Sequence, residues 1–149
     1  MKFKFSYEKL EEYYKQQEQI ASRDYNESMA HLDNEKQRYQ NMFEELDVAA
    51  EDGAALRARP EGAPIARLVQ IDDYIDGQKI NIARQREIVI NHTHIVEQKQ
   101  EILIAATKES KTYEKLRENQ FTAFKQKLKK HEAKVNDELV VTRFRRGGS

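Results

Sequence analysis

The chain has 149 residues, of which 35% are charged and 38% hydrophobic, and its mean hydropathy is -0.93. This composition is too polar for a compact domain with one large core, and no stretch reaches the roughly 18 consecutive apolar residues of a membrane span. The chain has no cysteine, which excludes disulfides and thiolate chemistry. Its first residues lack the apolar segment of a secretory signal, so we expect a cytoplasmic protein.

The first predicted element is a helix over about residues 6–49. Ser6 is a candidate N-cap, and Glu8 suits the first turn, where the helix dipole favours negative charge. Apolar positions then follow helical spacing, with one four-residue step that we interpret as a stutter in a coiled coil. These positions are Tyr7, Leu10, Tyr14 and Ala21, and after the step Tyr25, Leu32, Tyr39 and Leu46.

Turn-forming residues concentrate in one part of the chain. Gly53, Pro60, Gly62 and Pro64 fall close together. Proline removes a backbone donor and disfavours helix in the preceding residue, while glycine permits turn conformations. The sequence therefore predicts one turn at about residues 50–64.

A second helix is predicted over about residues 65–143. A series of apolar residues at intervals of seven places one long, narrow stripe along this helix, which is typical of a coiled coil. The series is Leu68, Ile75, Ile82, Val89, Val96 and Leu103. Beyond it, residues 147–149 are predicted to be a disordered tail.

Two long helices joined by a short turn predict an all-α fold, namely a single coiled-coil domain that forms an antiparallel hairpin. The second helix is the longer, so about 30 of its residues, from near Tyr113, are expected to overhang without an internal partner. An uncovered apolar stripe requires burial, so this end should bind a partner or self-associate. Its apolar residues are Leu116, Phe121, Phe124, Leu128 and Val135.

Charge is unevenly distributed although the net charge is zero. Residues 1–64 carry 9 basic and 14 acidic residues, whereas residues 108–149 carry 12 basic and 6 acidic residues, a net of +6. The basic positions 125, 127, 129, 130 and 134 offer a possible phosphate-binding strip, but acidic residues interrupt them and no stacking aromatic lies among them. A solvated face or a dock for an acidic protein fits this pattern better than nucleic acid does.

Motifs for catalysis or metal binding are weak. His92 and His94 are two positions apart, which places them about 200° apart on a helix, so they do not share a face. His31 and His131 are isolated in the sequence, and no phosphate-binding glycine loop is present. We expect no metal, no cofactor and no enzymatic activity, because two packed helices offer no cleft that excludes water.

Two short motifs near the ends of the chain carry a family resemblance. The opening Phe3-Lys4-Phe5-Ser6, followed by Leu10, resembles the start of FliJ, the small coiled-coil component of bacterial flagellar type III export. The segment 111–118, KTYEKLRE, is similar to the C-terminal pattern of that family, as are the later Glu132, Asp137-Glu138 and Arg143-Phe144. Length and hairpin architecture match over essentially the whole chain.

The resemblance implies a coiled coil similar to the central stalk of rotary F-type ATPases. It implies three partners, namely a FliI-like export ATPase hexamer, a FlhA-like export gate and substrate chaperones. The protein would have no catalytic residues and would be peripheral to the inner membrane through these partners. The basic overhang suits insertion into an ATPase ring, so its candidate contacts are Leu116, Phe121, Phe124, Leu128, Lys129 and Lys130.

The family's gate contact uses positions that flank the hairpin tip. In this sequence they fall on Tyr39, Phe43 and Leu46 of the first helix and on Tyr74, Gln78 and Asn81 of the second. Gln78 and Asn81 are polar where the family pattern tends to be apolar. Two other interpretations remain: a structural or tethering coiled coil without an ATPase partner, and a helical nucleic-acid-binding protein.

Overall fold

The computed structural model describes residues 2–147, and within them it contains two α-helices and no strand. Helix α1 spans Glu8–Arg57 and helix α2 spans Ile65–Gly147. The two helices pack against each other, which confirms the predicted all-α hairpin. Gly147 is the last helical residue, whereas Gly148 and Ser149 of the predicted tail lie outside the described residues.

The turn between the helices is shorter than predicted. Helix α1 continues past residue 49 because the following segment is rich in alanine, and one glycine costs a helix only about 1 kcal/mol. Gly53 serves packing here rather than a turn: a Cβ at this position would lie 3.3 Å from Cγ2 of Ile71 on α2. The helices therefore approach closely at Gly53, and α1 ends at Arg57.

The turn itself is a β-turn. The Gly62 amide donates to the Arg59 carbonyl at 3.1 Å, and Pro60 occupies the second turn position, where its fixed φ is favourable. Gly62 has a φ of 80°, which only glycine adopts readily. The Pro64 carbonyl then accepts from the Leu68 amide at 3.2 Å, so α2 begins at Ile65 as predicted.

Contacts group the chain into two units, and residues 21–103 form one of them. Here the seven-residue ladder of α2 faces α1: Ile82 and Val96 are buried, and the other members from Leu68 to Leu103 are half-buried. This confirms the ladder as the inner face of α2. A second column on the same face is polar, with Gln78 and Gln85 buried and His92 and Lys99 half-buried.

Helix α1 presents two matching columns to this seam. One column runs through Ala21 and Ser28, and the other through Tyr25 and Leu32, each at intervals of seven residues without interruption. The predicted stutter is therefore wrong. The step from Ala21 to Tyr25 passes from one column to its neighbour, and the polar residues Ser28 and Glu35 concealed the continuity of the first column.

The other unit combines residues up to Ile20 with those from Ile104 onwards. Residues 2–7, the N-terminal strap, precede α1 and lie against α2. The Phe3 ring centroid is 5.1 Å from that of Phe121 and 5.5 Å from that of Phe124, and Phe5 is buried. The Ser6 hydroxyl donates to Gln120 Oε1 at 3.3 Å instead of capping α1, so the expected N-cap is wrong.

The strap also corrects where the overhang begins. Tyr113 stacks on Tyr14 with centroids 4.9 Å apart, and α2 is covered at least in part as far as Leu128. The expected absence of an internal partner from Tyr113 onwards is therefore wrong. The uncovered part is residues 129–147, the distal arm, in which every residue is exposed. The sequence did not reveal where the overhang begins, because the strap residues that cover α2 have no helical periodicity.

Candidate functional site

Two surfaces contain the residues expected to bind partners, one in each unit. The first lies where the strap meets α2. Phe121 is 40% exposed, and the Lys125 ammonium lies 4.5 Å from its ring centroid in a cation–π contact. Leu116, Phe124 and Leu128 are half-buried, whereas Lys129 and Lys130 are exposed. Of the six residues predicted to contact the ATPase, Phe121 and the two lysines are thus exposed to a partner.

A buried carboxylate joins α1 to α2 near the strap. Glu11 is 3% exposed, and its Oε1 accepts from Arg117 Nη1 at 3.0 Å and from Lys15 Nζ at 3.1 Å. Burial alone would raise the pKa of Glu11, but the hydrogen bonds and positive charges of Lys15 and Arg117 outweigh it, so the net pKa is lowered. Its Oε2 is buried without a hydrogen-bond partner among the described atoms. Leu10, the predicted seam residue, is exposed in its place.

A tyrosine stack lies beside this carboxylate. The Tyr14 and Tyr113 rings are nearly parallel, with an interplanar angle of 12°. The neighbouring Tyr113 phenol, with a smaller effect of burial, raises the pKa of the Tyr14 hydroxyl. Tyr13, which is not one of the apolar positions at helical spacing, is exposed.

The second surface lies near the turn and includes the residues predicted to contact the gate. Tyr74 is 48% exposed, and Phe43 and Asn81 are also exposed. Tyr39 and Leu46 are half-buried, and the Tyr39 ring lies 5.0 Å from that of Phe43. Three of these six residues are therefore exposed to solvent.

Gln78, the sixth residue of that set, lies in the seam. Its amide nitrogen donates to the Met42 carbonyl at 3.3 Å and to Glu45 Oε2 at 2.9 Å. One heptad later, the Gln85 amide nitrogen donates to the Glu35 carbonyl at 3.0 Å and to Glu35 Oε2 at 2.5 Å. The polar side chain of Gln78 thus has a structural explanation, because both of its hydrogen bonds cross from α2 to α1.

An open groove runs between the helices beside Tyr74. This tip groove has a volume of about 640 Å³. Its apolar lining includes Val48, Ile71 and Tyr74, and its charged lining is Glu44, Glu45, Asp52 and Arg67. The sequence did not predict the groove, because its lining comes from both helices and depends on their register.

The histidine that lies nearest to His92 in space is His31 on the other helix, and not its sequence neighbour His94. His31 and His92 face each other across the helix pair with ring centroids 6.4 Å apart, while His94 pairs with Glu97 at 3.6 Å. Within residues 2–147, no group of three or more His, Cys, Asp or Glu side chains converges on a possible metal position. None of the helices in this part of the chain is long and apolar enough to cross a membrane.

Comparison with known proteins agrees with the resemblance carried by the chain ends. The family model described as Flagellar FliJ protein matches residues 3–149. The Flagellar FliJ protein of Bacillus subtilis (strain 168) is 25% identical over 145 residues, which are 97% of this chain and 97% of that protein. No solved structure matches the chain at a significant level. Because the family match extends over nearly all of the two-helix fold, the chain belongs to the FliJ family of flagellar proteins.

Proposed function

We propose that this protein is a non-enzymatic component of the bacterial flagellar type III export apparatus. In this proposal the distal arm of α2 binds the ring of the export ATPase, and the surface near the turn binds the export gate. Substrate chaperones are the third class of partner. The protein acts in the cytoplasm and reaches the inner membrane only through these partners. Membership of the FliJ family supports the flagellar export context.

The exposure of the distal arm is the main support for this proposal. Residues 129–147 are helical, and all of them are exposed. They include large apolar side chains, among them Leu139, Val140 and Phe144. They also include six basic and three acidic residues. An exposed helix that presents apolar and basic side chains is suited to a partner that surrounds it.

Stimulation of ATP hydrolysis tests this proposal. The variant Lys129→Glu, Lys130→Glu, Phe144→Ala changes three exposed residues of the distal arm, and Phe124 is retained because it packs against Phe3. We expect stimulation of the purified export ATPase to fall by about tenfold or more, with helicity and thermal midpoint unchanged. The charge-matched control Lys36→Glu, Lys79→Glu should stimulate like the wild type. Full stimulation by the distal-arm variant would contradict the proposal.

The gate-binding part of the proposal rests on the exposed residues of the second surface. Phe43, Tyr74 and Asn81 are accessible, and Tyr39 and Leu46 are accessible in part. Gln78 is buried under this surface, and its amide nitrogen donates hydrogen bonds to the Met42 carbonyl and the Glu45 carboxylate. We therefore assign direct contact with the gate to the exposed aromatic residues, Phe43 and Tyr74.

A further inference from the structure

The tip groove is large enough to admit a large apolar side chain. Its volume of about 640 Å³ lies within the range of pockets that hold small ligands. Val48 and Tyr74 are exposed large apolar residues on opposite helices, and Ile71 is half-buried between α1 and α2. An apolar side chain inserted here would contact both helices and bury part of the apolar surface of these three residues.

The rim of this groove is acidic and only partly neutralised. Glu45 accepts a hydrogen bond from Gln78, whereas the side chains of Glu44 and Asp52 have no ion pair or hydrogen bond within the described chain. Among the groove-lining residues, Arg67 is the one basic side chain. Two carboxylates at the mouth of the groove are therefore available to positive charge from outside.

The segments of both helices around the groove also carry a net negative charge. Residues 41–76 contain nine acidic and three basic residues, a net of -6. One of the three, Arg57, is already paired with Asp72 at 2.8 Å. Such a concentration of one charge steers an oppositely charged partner and disfavours an acidic one.

We propose that the tip groove binds a partner segment in which a large apolar side chain is flanked by lysine or arginine. This inference rests on the proposed gate function, since the groove adjoins Tyr74, and it states the chemistry by which the gate is recognised. The apolar side chain occupies the space between Val48, Ile71 and Tyr74. The flanking basic residues pair with Glu44 and Asp52. Charge complementarity thus selects the segment, and apolar burial holds it.

The test is a titration of the gate's purified cytoplasmic part with full-length protein at several salt concentrations. The groove variant Glu44→Gln, Asp52→Asn should weaken binding about three- to tenfold at low salt and flatten its salt dependence. The control variant Glu27→Gln, Asp33→Asn makes the same change of net charge on exposed positions of α1. It should bind like the wild type.

The possible outcomes separate the two proposals. If the gate binds and Tyr74→Ala weakens it, but salt and the groove variant have no effect, the proposed segment chemistry is overturned and the gate function stands. If the wild type does not bind the gate, both are overturned. Residues 143–145 of this chain, Arg-Phe-Arg, have the same chemistry as the proposed segment. Self-association in light scattering that the groove variant abolishes would identify a second copy as the occupant and overturn a gate segment.

Discussion

Glu11 shows how one residue can stabilise a helix pair while making it sensitive to acid. The carboxylate is buried, and its two cations come from different elements, Lys15 on α1 and Arg117 on α2. Truncating one partner of such a group leaves the remaining charges poorly compensated. Glu11 therefore fixes the position of Arg117 on α2 against the first turns of α1.

The lowered pKa of Glu11 predicts a pH dependence with a definite sign. A depressed carboxyl pKa contributes stability that is complete above the ordinary value of 4.5 and is lost as the pH falls through the folded-state pKa. The variant Glu11→Gln should be less stable at pH 7 by about 1–3 kcal/mol. Its thermal midpoint should fall less than that of the wild type between about pH 5 and 3. Glu12→Gln, at the exposed neighbouring position, should follow the wild type, and parallel acid profiles for all three proteins would contradict this role.

Val89 tests the apolar ladder at a single position. Val89→Asp places a carboxylate in the half-buried seam. Because burial of a charge is costly, the variant should lose about 2–3 kcal/mol in unfolding free energy. Glu97→Ala lies on the exposed side of the same helix and should change stability by less than about 0.5 kcal/mol. Urea unfolding followed by circular dichroism measures both. Equal losses would show that the ladder is not the buried face.

For individual residues, the sequence predicted the apolar contacts better than the polar ones. The burial of the ladder members on α2 followed from spacing alone. The burial of Glu11 and Gln85 was not predicted, because glutamate and glutamine are usually exposed to solvent. A heptad count that includes every residue type would have placed Gln78, Gln85 and His92 in one column.

The polar column of α2, which includes Gln78 and Gln85, affects how the two helices align with each other. Gln78 and Gln85 each use one amide group to reach a backbone carbonyl and a glutamate on α1. A shift of the helices by three or four residues would place these amides opposite apolar side chains and lose the bonds. Polar groups in a coiled-coil seam specify pairing and register at a cost in stability.

Gln85→Leu should therefore pair less specifically without losing stability. Its unfolding free energy should stay the same or rise by about 1 kcal/mol, because leucine suits a seam position. The variant should also form dimers or larger species that the wild type does not form, measured by light scattering. Gln98→Leu makes the same exchange at an exposed position and serves as the control. A strictly monomeric Gln85→Leu protein would argue against a role in pairing.

Both helices were predicted in kind, but the end of α1 was not. Both helices, the turn and the start of α2 at Ile65 followed from periodicity and proline placement. The continuation of α1 to Arg57 was not predicted. A glycine such as Gly53 is common in turns, but it also occurs where two helices approach closely, and the sequence does not distinguish the two cases. The strap was missed because its packing depends on Phe121 and Phe124, far away in the sequence.

For the molecule as a whole, distance measurements test whether the hairpin forms within one chain. The chain has no cysteine, so cysteines introduced at exposed Asn26 and Gln98 carry the only spin labels. Packed helix axes lie about 8–10 Å apart, so we expect a label separation below about 25 Å. A continuous straight helix would separate the labels by about 110 Å. Dilution with unlabelled protein should leave a short intrachain distance intact, and its loss on dilution would indicate exchange between chains.

The two proposed surfaces predict that partner binding can be lost at one surface and kept at the other. Tyr74 directly precedes the ladder residue Ile75, which a helix places about 100° away, so the Tyr74 ring is exposed beside the seam. Tyr74→Ala should weaken gate binding by about tenfold while preserving helicity and stimulation of the ATPase. The distal-arm variant should show the opposite pattern.

Tyr13→Ala is the matched control for Tyr74→Ala, because Tyr13 is similarly exposed and belongs to the other unit. It should leave gate binding unchanged. The measurement combines gate titration, ATP hydrolysis and a thermal melt on each protein. A sharp fall in the melting temperature of Tyr74→Ala would mean that the ring supports the seam and that the gate surface is misplaced. Unchanged stability together with unchanged gate binding would remove Tyr74 from the interface, because a partner that covers its exposed ring must lose contact area when the ring is truncated.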